Sequence, residues 1–432
     1  QYYKEMKKFY IHSMGCKSNQ FEGAVIEENL ISHGMEKVSE IPDADFYILN
    51  SCSVTHKSDN EAFYLLRNAK HKNPSIKNVL TGCVAQIEKE RLLQYEFVDI
   101  VVGNNEKLDL FKVLQGTSDC AVADIMELKN FNKSVLQDMS KTRASLKIQD
   151  GCNNRCSYCI IPFARGKSRS ADVDFVIEQI NKFSSHGFKE VVLTGIHIGL
   201  WGKDFGLTLL DLLKEIEQKT SIKRYRLGSL NPSEIDDELL EFLSKSEMFC
   251  PHFHLSLQPA CDKTLESMNR FYRVDDYLKQ IDKINEMFDL PFLGSDVIAG
   301  FAGETDEDFE ITRKNLEKSG LSKIHTFPYS IRQGTKGALS DYQVDDAVKN
   351  ERTSIIKGIS KQKYNDFVLK NINKVREILI EKHPDKNDGM LKGVTDNYLT
   401  IHLNSDNPLL LNTIQKVLIT GFEDNKIYGE LI

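Results

Sequence analysis

Gly151-Cys152-Asn153-Asn154-Arg155-Cys156-Ser157-Tyr158-Cys159, running on into Ile160-Ile161-Pro162, sets three cysteines within eight residues at the spacing C-x3-C-x2-C. A loop that tight can point three thiolates at one corner of an iron–sulfur cube and has no fourth to offer. A [4Fe–4S] cluster ordinarily takes four cysteine thiolates, so three leave one iron open to a substrate or cofactor. That is the logic of a catalytic metal site, against a closed structural one. Zinc is the alternative, but zinc sites usually pair C-x2-C with a second Cys or His pair downstream. The next cysteine, Cys250, stands about ninety residues on, with no such pair around it.

The segments around this loop set the fold class. A strand pattern at 145–149 runs straight into it, and a helix pattern follows at 173–185. Further strands read at 190–194, 224–227, 252–257, 291–298 and 323–327. Helices separate them at 207–219, 233–245, 274–288 and 306–318. Six strands alternating with helices predict a partial (β/α)6 barrel, whose active site lies at the carboxyl ends of the strands. The cysteine loop leaves the first strand at that edge. Polar or glycine-bearing residues follow the other strands at the same level: Thr194-Gly195-Ile196-His197, Gly228-Ser229, Ser256 with Gln258, and Asp296 with Gly300. Taken singly these are turn chemistry. Their recurrence on one rim makes Thr194, Gly195, Ser229, Gln258 and Asp296 the candidates for cofactor contact.

Upstream, residues 1–115 alternate short apolar runs (9–14, 45–50, 78–81, 99–102) with helical stretches such as 22–33 and 59–71, the first closed by Gly34 at a C-cap position. This predicts a parallel α/β sheet. Cys16, Cys52 and Cys83 each follow a strand, 36 and 31 positions apart. Ligands in such sheets bind just beyond the carboxyl ends of the strands. Helix N-termini pointing at that edge favour anionic groups such as thiolate-ligated clusters. Three buried cysteines acting as small hydrophobes are the alternative. Cys120, in the irregular stretch 116–140, lacks such a placement and is read as a non-ligand. From Lys374 onward, short β-rich runs at 375–381, 389–394, 398–403, 415–420 and 426–431 predict a small β-barrel, a form often used to hold nucleic acid. A packing or oligomerisation module is the other reading. The expected organisation is an N-terminal domain at 1–115, a linker at 116–143, the barrel at 144–370 and the β-domain at 371–432.

Composition bounds the rest. The 432 residues are 41% hydrophobic and 28% charged, which allows two or three domains with cores. No apolar run reaches the roughly 18 residues of a membrane span. The opening Gln1-Tyr2-Tyr3-Lys4-Glu5 does not read as a signal peptide, and its lack of an initiator Met suggests a trimmed terminus. Nine cysteines, odd in number and clustered, fit reduced thiols used as ligands in the cytoplasm better than a disulfide framework. The net charge of −7 weighs against a nucleic-acid binder. No segment is a basic arm, so an RNA contact must use a local patch.

With both cysteine sets placed, the chain resembles the methylthiotransferases of the radical S-adenosylmethionine class, most closely the branch acting on N6-threonylcarbamoyladenosine in bacterial tRNA. The resemblance covers nearly the whole chain. It rests on Gly15-Cys16-Lys17-Ser18-Asn19-Gln20, Asn50-Ser51-Cys52-Ser53-Val54-Thr55, Ile148-Gln149-Asp150-Gly151-Cys152-Asn153-Asn154, Ile160-Ile161-Pro162-Phe163-Ala164-Arg165-Gly166 and Leu193-Thr194-Gly195-Ile196-His197. Gln258-Pro259-Ala260-Cys261, Phe301-Ala302-Gly303-Glu304 and Ile331 depart from the family's usual residues. The resemblance implies a C-terminal TRAM domain and two [4Fe–4S] clusters, one on Cys152, Cys156 and Cys159 and an auxiliary one on Cys16, Cys52 and Cys83. It implies S-adenosylmethionine on the open iron of the first, cleaved after one-electron reduction to a radical that takes hydrogen from the base C2, while the auxiliary cluster carries the sulfur. The electron would come from a donor such as flavodoxin or ferredoxin, and the substrate would be the tRNA anticodon loop. Arg165 and His197 are the expected substrate contacts, Arg165 as a cation for the threonylcarbamoyl carboxylate. Rival readings are the isopentenyladenosine or ribosomal-protein branch, a redox carrier, and an RNA-binding protein with structural clusters.

Overall fold

The computed structural model describes residues 6–53, 55–135 and 141–432, so the reading of the first five residues lies outside it. The chain begins with β1 (Lys8–Ser13), α1 (Lys17–Ser32), β2 (Glu36–Lys37), β3 (Phe46–Ser51), α2 (His56–Lys72), β4 (Lys77–Gly82), α3 (Cys83–Leu92), β5 (Ile100–Val102), α4 (Leu110–Gln115) and β6 (Cys120–Ala121). The six strands form one parallel sheet in the order β2-β1-β3-β4-β5-β6. Tyr47, Ile48, Leu49, Val79, Leu80, Val101 and Val102 are buried, as continuous apolar runs in a sheet covered on both faces must be. One face packs Leu49, Leu80 and Val101 on Ala62, Phe63 and Leu66. The other packs Phe9, Ile48 and Val79 on Ile26 and Leu30. Cys120 corrects the reading of 116–140 as irregular: it pairs with Val101 on the edge strand β6, too short to carry a pattern.

The next strand, β7 (Ala144–Lys147), is shorter than expected because Gln149–Asp150 (β8) pairs antiparallel with Arg169–Ser170 (β9), across the cysteine loop and α5 (Ile161–Arg165). Then come α6 (Val173–Ser185), β10 (Glu190–Thr194), α7 (Leu209–Lys219), β11 (Arg224–Leu227), α8 (Asp237–Lys245), β12 (His252–His254), α9 (Asp262–Ser267), α10 (Val274–Met287), β13 (Phe292–Ala299), α11 (Asp306–Lys318), β14 (Lys323–Pro328) and α12 (Asp346–Asn371). The strands run parallel as β11-β10-β7 and β12-β13-β14, and single bridges (Tyr225 to Phe249, Leu230 to Leu255) join the two halves. This is the expected incomplete barrel.

The last strands are β15 (Val375–Ile380), β16 (Leu391–Thr395), β17 (Thr400–Leu403), β18 (Ile414–Glu423) and β19 (Lys426–Leu431), closed in the order β15-β16-β17-β19-β18 around Ile378, Ile380, Leu391, Ile401, Val417 and Ile419. This barrel is clamped to β11. Arg224 donates to the carbonyl of Val394 (2.9 Å), and Arg226 to those of Thr395 (2.6 Å) and Asp396 (2.7 Å). Both guanidiniums also pair with Glu190, which is fully buried. Ion pairs taken out of water this far are costly to break by removing one partner.

The chain divides into two compact units, each discontinuous in sequence. One comprises the residues up to 138 with 149–171 and 330–338; the other comprises 139–148, 172–329 and 339–432. All six cysteines of the two candidate sets therefore belong to the first unit. Within it Arg332 is buried against the Asp59 carboxylate, one turn into α2.

Candidate metal centres and barrel rim

In the first unit, each of the three dispersed cysteines sits where a strand gives way to a helix. Cys16 occupies the N-cap of α1, and Cys83 opens α3. Cys52 lies just after β3, ahead of α2, whose N-cap Thr55 accepts from the Ser58 N–H. The N-terminal ends of α1 and α3 thus turn their positive dipole ends toward sulfur, while burial pushes the Cys16 thiol pKa up against the pull of Arg165. Two glycines make the approach close. A Cβ at Gly15 would stand 2.6 Å from the Cys52 sulfur, and one at Gly82 would stand 2.2 Å from the Ser51 carbonyl; both have φ near +90° or a little below, where side chains are disfavoured. Asn19 ties the loops together by donating to the carbonyls of Met14 (2.7 Å), Asn50 (3.0 Å) and Ser51 (3.2 Å).

Behind these cysteines lies a buried charge network that the sequence did not disclose. Lys107, fully buried, directs its Nζ at Glu22 (2.6 Å) and at the side-chain oxygens of Asn104 (2.8 Å), Asn50 (3.0 Å) and Asn19 (3.3 Å). An ammonium has three N–H donors to share among these four acceptors, and burial pulls the Lys107 pKa down against the charge of Glu22. Arg165 meets the other side of Glu22 and lies 3.7 Å from Asp150, which in turn faces Arg169 at 3.6 Å. Burial would lower the Arg165 pKa, but the charges of Glu22, Cys83 and Asp150 outweigh it and hold the guanidinium protonated. Three cations against two carboxylates leave a positive excess beside Cys83, whose sulfur is 3.8 Å from the Asn104 amide nitrogen. An anionic, thiolate-ligated group is the partner such an excess favours. The expected role of Arg165 as a substrate contact meets this arrangement: its guanidinium is 1% exposed and engaged by carboxylates.

The C-x3-C-x2-C loop is held at its ends and left irregular between. The Cys152 N–H donates to the Gly166 carbonyl (3.0 Å), Cys159 N–H to Cys156 (3.0 Å), and Gly337 N–H to Ser157 (2.7 Å). Gln149 donates to the Gly151 carbonyl and to Ser168. All three thiols are half-buried. Among the described residues no three Cys, His, Asp or Glu side chains stand in metal-ligand geometry. The donor sets fit iron–sulfur clusters by their chemistry: three soft sulfur ligands each, next to helix N-termini or in a short loop.

In the second unit, the carboxyl ends of the strands carry the residues expected for a cofactor. Thr194 ends β10, buried, its carbonyl accepting from Ile148 (2.9 Å), and Gly195 follows. Ser229 is exposed beyond β11. Asp296 on β13 pairs with His254 (2.9 Å), whose ring lies 5.6 Å from that of His325. Gln258 has φ +69°, a left-handed backbone unusual for a residue with a side chain, and its buried carbonyl oxygen has no donor among the described residues. A left-handed backbone together with an orphaned side-chain acceptor makes Gln258 a candidate for a ligand contact.

His197, expected as a substrate contact, is buried (5% exposed), and its Nε2 faces the Glu234 carboxylate and the Asn231 amide. Burial would raise the Glu234 pKa, but the His197 hydrogen bond and charge, with Asn231, hold it below the usual value. Arg270 then bridges this cluster to the next strand end, donating to Asn231 Oδ1 (2.6 Å) and the Ser256 carbonyl (3.1 Å). Sequence reading missed Glu234 and Arg270. Asn231-Pro232-Ser233-Glu234 does carry the spacing of a capping box, the one signal available for Glu234.

Two family models match the chain: "Uncharacterized protein family UPF0004" over residues 8–103 and "Radical SAM superfamily" over residues 146–316. The threonylcarbamoyladenosine tRNA methylthiotransferase MtaB of Aquifex aeolicus is 36% identical over 403 residues, covering 91% of this chain and 96% of that protein. The tRNA-2-methylthio-N(6)-dimethylallyladenosine synthase of Dictyoglomus thermophilum is 31% identical over 439 residues, covering 99% of each. In fold, the chain is similar to the radical S-adenosylmethionine methyltransferase TsrM from Kitasatospora setae, solved with tryptophan and a cofactor analogue (TM-score 0.55, 14% identity, 74% of this chain and 73% of that one).

Proposed function

The chain belongs to the radical S-adenosylmethionine methylthiotransferases, and from that premise we propose that it adds a methylthio group to C2 of N6-threonylcarbamoyladenosine next to the anticodon of tRNA. The observation that carries this reading is the full-length relationship to a relative of that named activity, stronger than the relationship to the dimethylallyladenosine enzyme. The cofactors are S-adenosylmethionine and [4Fe–4S] clusters. Cys152, Cys156 and Cys159 would hold one cluster, and Cys16, Cys52 and Cys83 the auxiliary one. When bound, the cofactors supply a carbon radical strong enough to take hydrogen from an aromatic C–H, which no acid–base group can ionise, together with the sulfur and the methyl group.

What the chain's own residues contribute is placement. The positive excess of Lys107, Arg165 and Arg169 over Glu22 and Asp150 favours an anionic auxiliary site. Gln258 offers an acceptor, and Thr194, Gly195, Ser229 and Asp296 share its strand-end level, as the contacts we assign to S-adenosylmethionine. The base must leave the loop stack, at a cost of roughly a few kcal/mol, which a single-stranded anticodon loop keeps low. A flavodoxin or ferredoxin would supply the electron. No helix is long and apolar enough to cross a membrane among the described residues, and the proposed tRNA substrate supports a cytoplasmic enzyme.

The test offers reconstituted enzyme tRNA bearing N6-threonylcarbamoyladenosine and tRNA bearing isopentenyladenosine, and quantifies the 2-methylthio nucleoside of each by mass spectrometry. Product is expected on the first. Product on the second alone, or only on a ribosomal protein, would overturn the substrate assignment.

A further inference from the structure

The connection between α9 and α10 carries Asn269-Arg270-Phe271-Tyr272-Arg273. Its two inner anchors are fixed to the barrel rim. Arg270 holds Asn231 and the Ser256 carbonyl, stacks over the Tyr272 ring at 4.9 Å, and donates from Nε to the Tyr272 hydroxyl (3.1 Å). The Tyr272 hydroxyl lies 2.8 and 2.6 Å from the carbonyls of Ser256 and Leu257, the residues just before Gln258. Between these two anchored side chains, Phe271 points away from the protein with 84% of its surface in water, the highest exposure of any large apolar residue described. Arg273 beside it is 64% exposed and only loosely paired with Asp262 (3.8 Å).

A lone exposed apolar side chain is ordinary surface. This one differs because both neighbours are locked while it is held out, at the strand-end rim that carries Gln258 and the His197–Glu234–Asn231 cluster. An exposed aromatic face on an anchored loop, next to guanidinium groups, is the chemistry that receives an unstacked nucleic-acid base, with charge for the adjoining phosphate. We propose that Phe271 is the stacking platform for an unpaired base of the RNA loop that carries the modified adenosine, and that Arg273 meets its backbone. This rests on the tRNA reading above and adds the subsite that captures the loop. It also gives His197 a role at one remove: through Glu234, Asn231 and Arg270 it fixes the platform.

The experiment measures binding of a synthetic anticodon stem-loop bearing N6-threonylcarbamoyladenosine to the full, cluster-reconstituted chain. Phe271→Ala should weaken binding about tenfold, within the range for loss of one aromatic–base stack, with an unchanged melting curve because the side chain is exposed. Phe271→Trp should restore affinity, and its emission should be quenched as RNA is added. The chain's single tryptophan, Trp201, is fully buried and supplies a constant background. If wild-type protein binds the stem-loop, and Phe271→Ala binds equally well or the Phe271→Trp emission does not respond, the platform is wrong and the tRNA function stands. If wild-type protein does not bind the stem-loop at all, both fall.

Discussion

Glu234 shows how a single carboxylate couples the rim to pH. Its folded-state pKa lies below the unfolded value of about 4.3, because the His197 contact outweighs burial. The stability it contributes is therefore fully present above about pH 4.3 and is lost as pH falls through the folded value. Glu234→Gln should flatten the acid limb of a urea-denaturation series run from pH 7 down to pH 3, relative to wild type. Parallel limbs for the two proteins would remove Glu234 as a source of acid sensitivity. At this scale the sequence disclosed the cysteines, because strand–turn–helix patterning fixes where Cys16, Cys52 and Cys83 lie. It did not disclose the burial of Arg165 and His197. Their polarity was legible, but their burial depends on Glu22, 143 positions away from Arg165, and on Glu234, 37 positions from His197.

Among elements, the strands β10 and β11 and the helices α6 and α11 were legible to the residue and the other barrel strands to within a few residues, since strand patterns and amphipathic helices with capping residues such as Asp172 and Thr305 mark the segments. The long α12 was not, because its buried face includes Lys349, Arg352, Thr353 and Ser360 and so lacks an apolar stripe. The C-terminal barrel was legible as strands, while its packing was not. Arg224 and Arg226 look like surface residues of a strand until the carbonyls of residues 394–396 are brought against them. Removing the chain from Lys374 onward would strip those acceptors and uncover Phe292 and Phe367, which pack in the barrel core. The truncated protein should lose its cooperative thermal transition by circular dichroism; a transition at the wild-type temperature would show the barrel to be a dispensable appendage. RNA binding by this domain is thus better tested by exposed point changes than by deletion.

For the whole molecule, two separate cysteine sets predict separable metal contents. Changing Cys152, Cys156 and Cys159 together to Ala should halve the iron after anaerobic reconstitution and abolish S-adenosylmethionine cleavage, whereas changing Cys16, Cys52 and Cys83 should halve the iron and spare cleavage. Unchanged iron in the second variant would eliminate the auxiliary cluster. The order of the segments was legible in the sequence; their regrouping was not, since the pairing of distant stretches leaves no periodic trace. Asp59 and Arg332 carry that regrouping into the cell's timetable. The acid leaves the ribosome 273 residues before its base. At roughly 5–20 residues per second, the first unit waits on the order of tens of seconds for its last piece. From Cys159 onward all six thiols have been synthesised, so nascent chains present the complete donor set to iron, oxygen and chaperones before the unit that houses it can close.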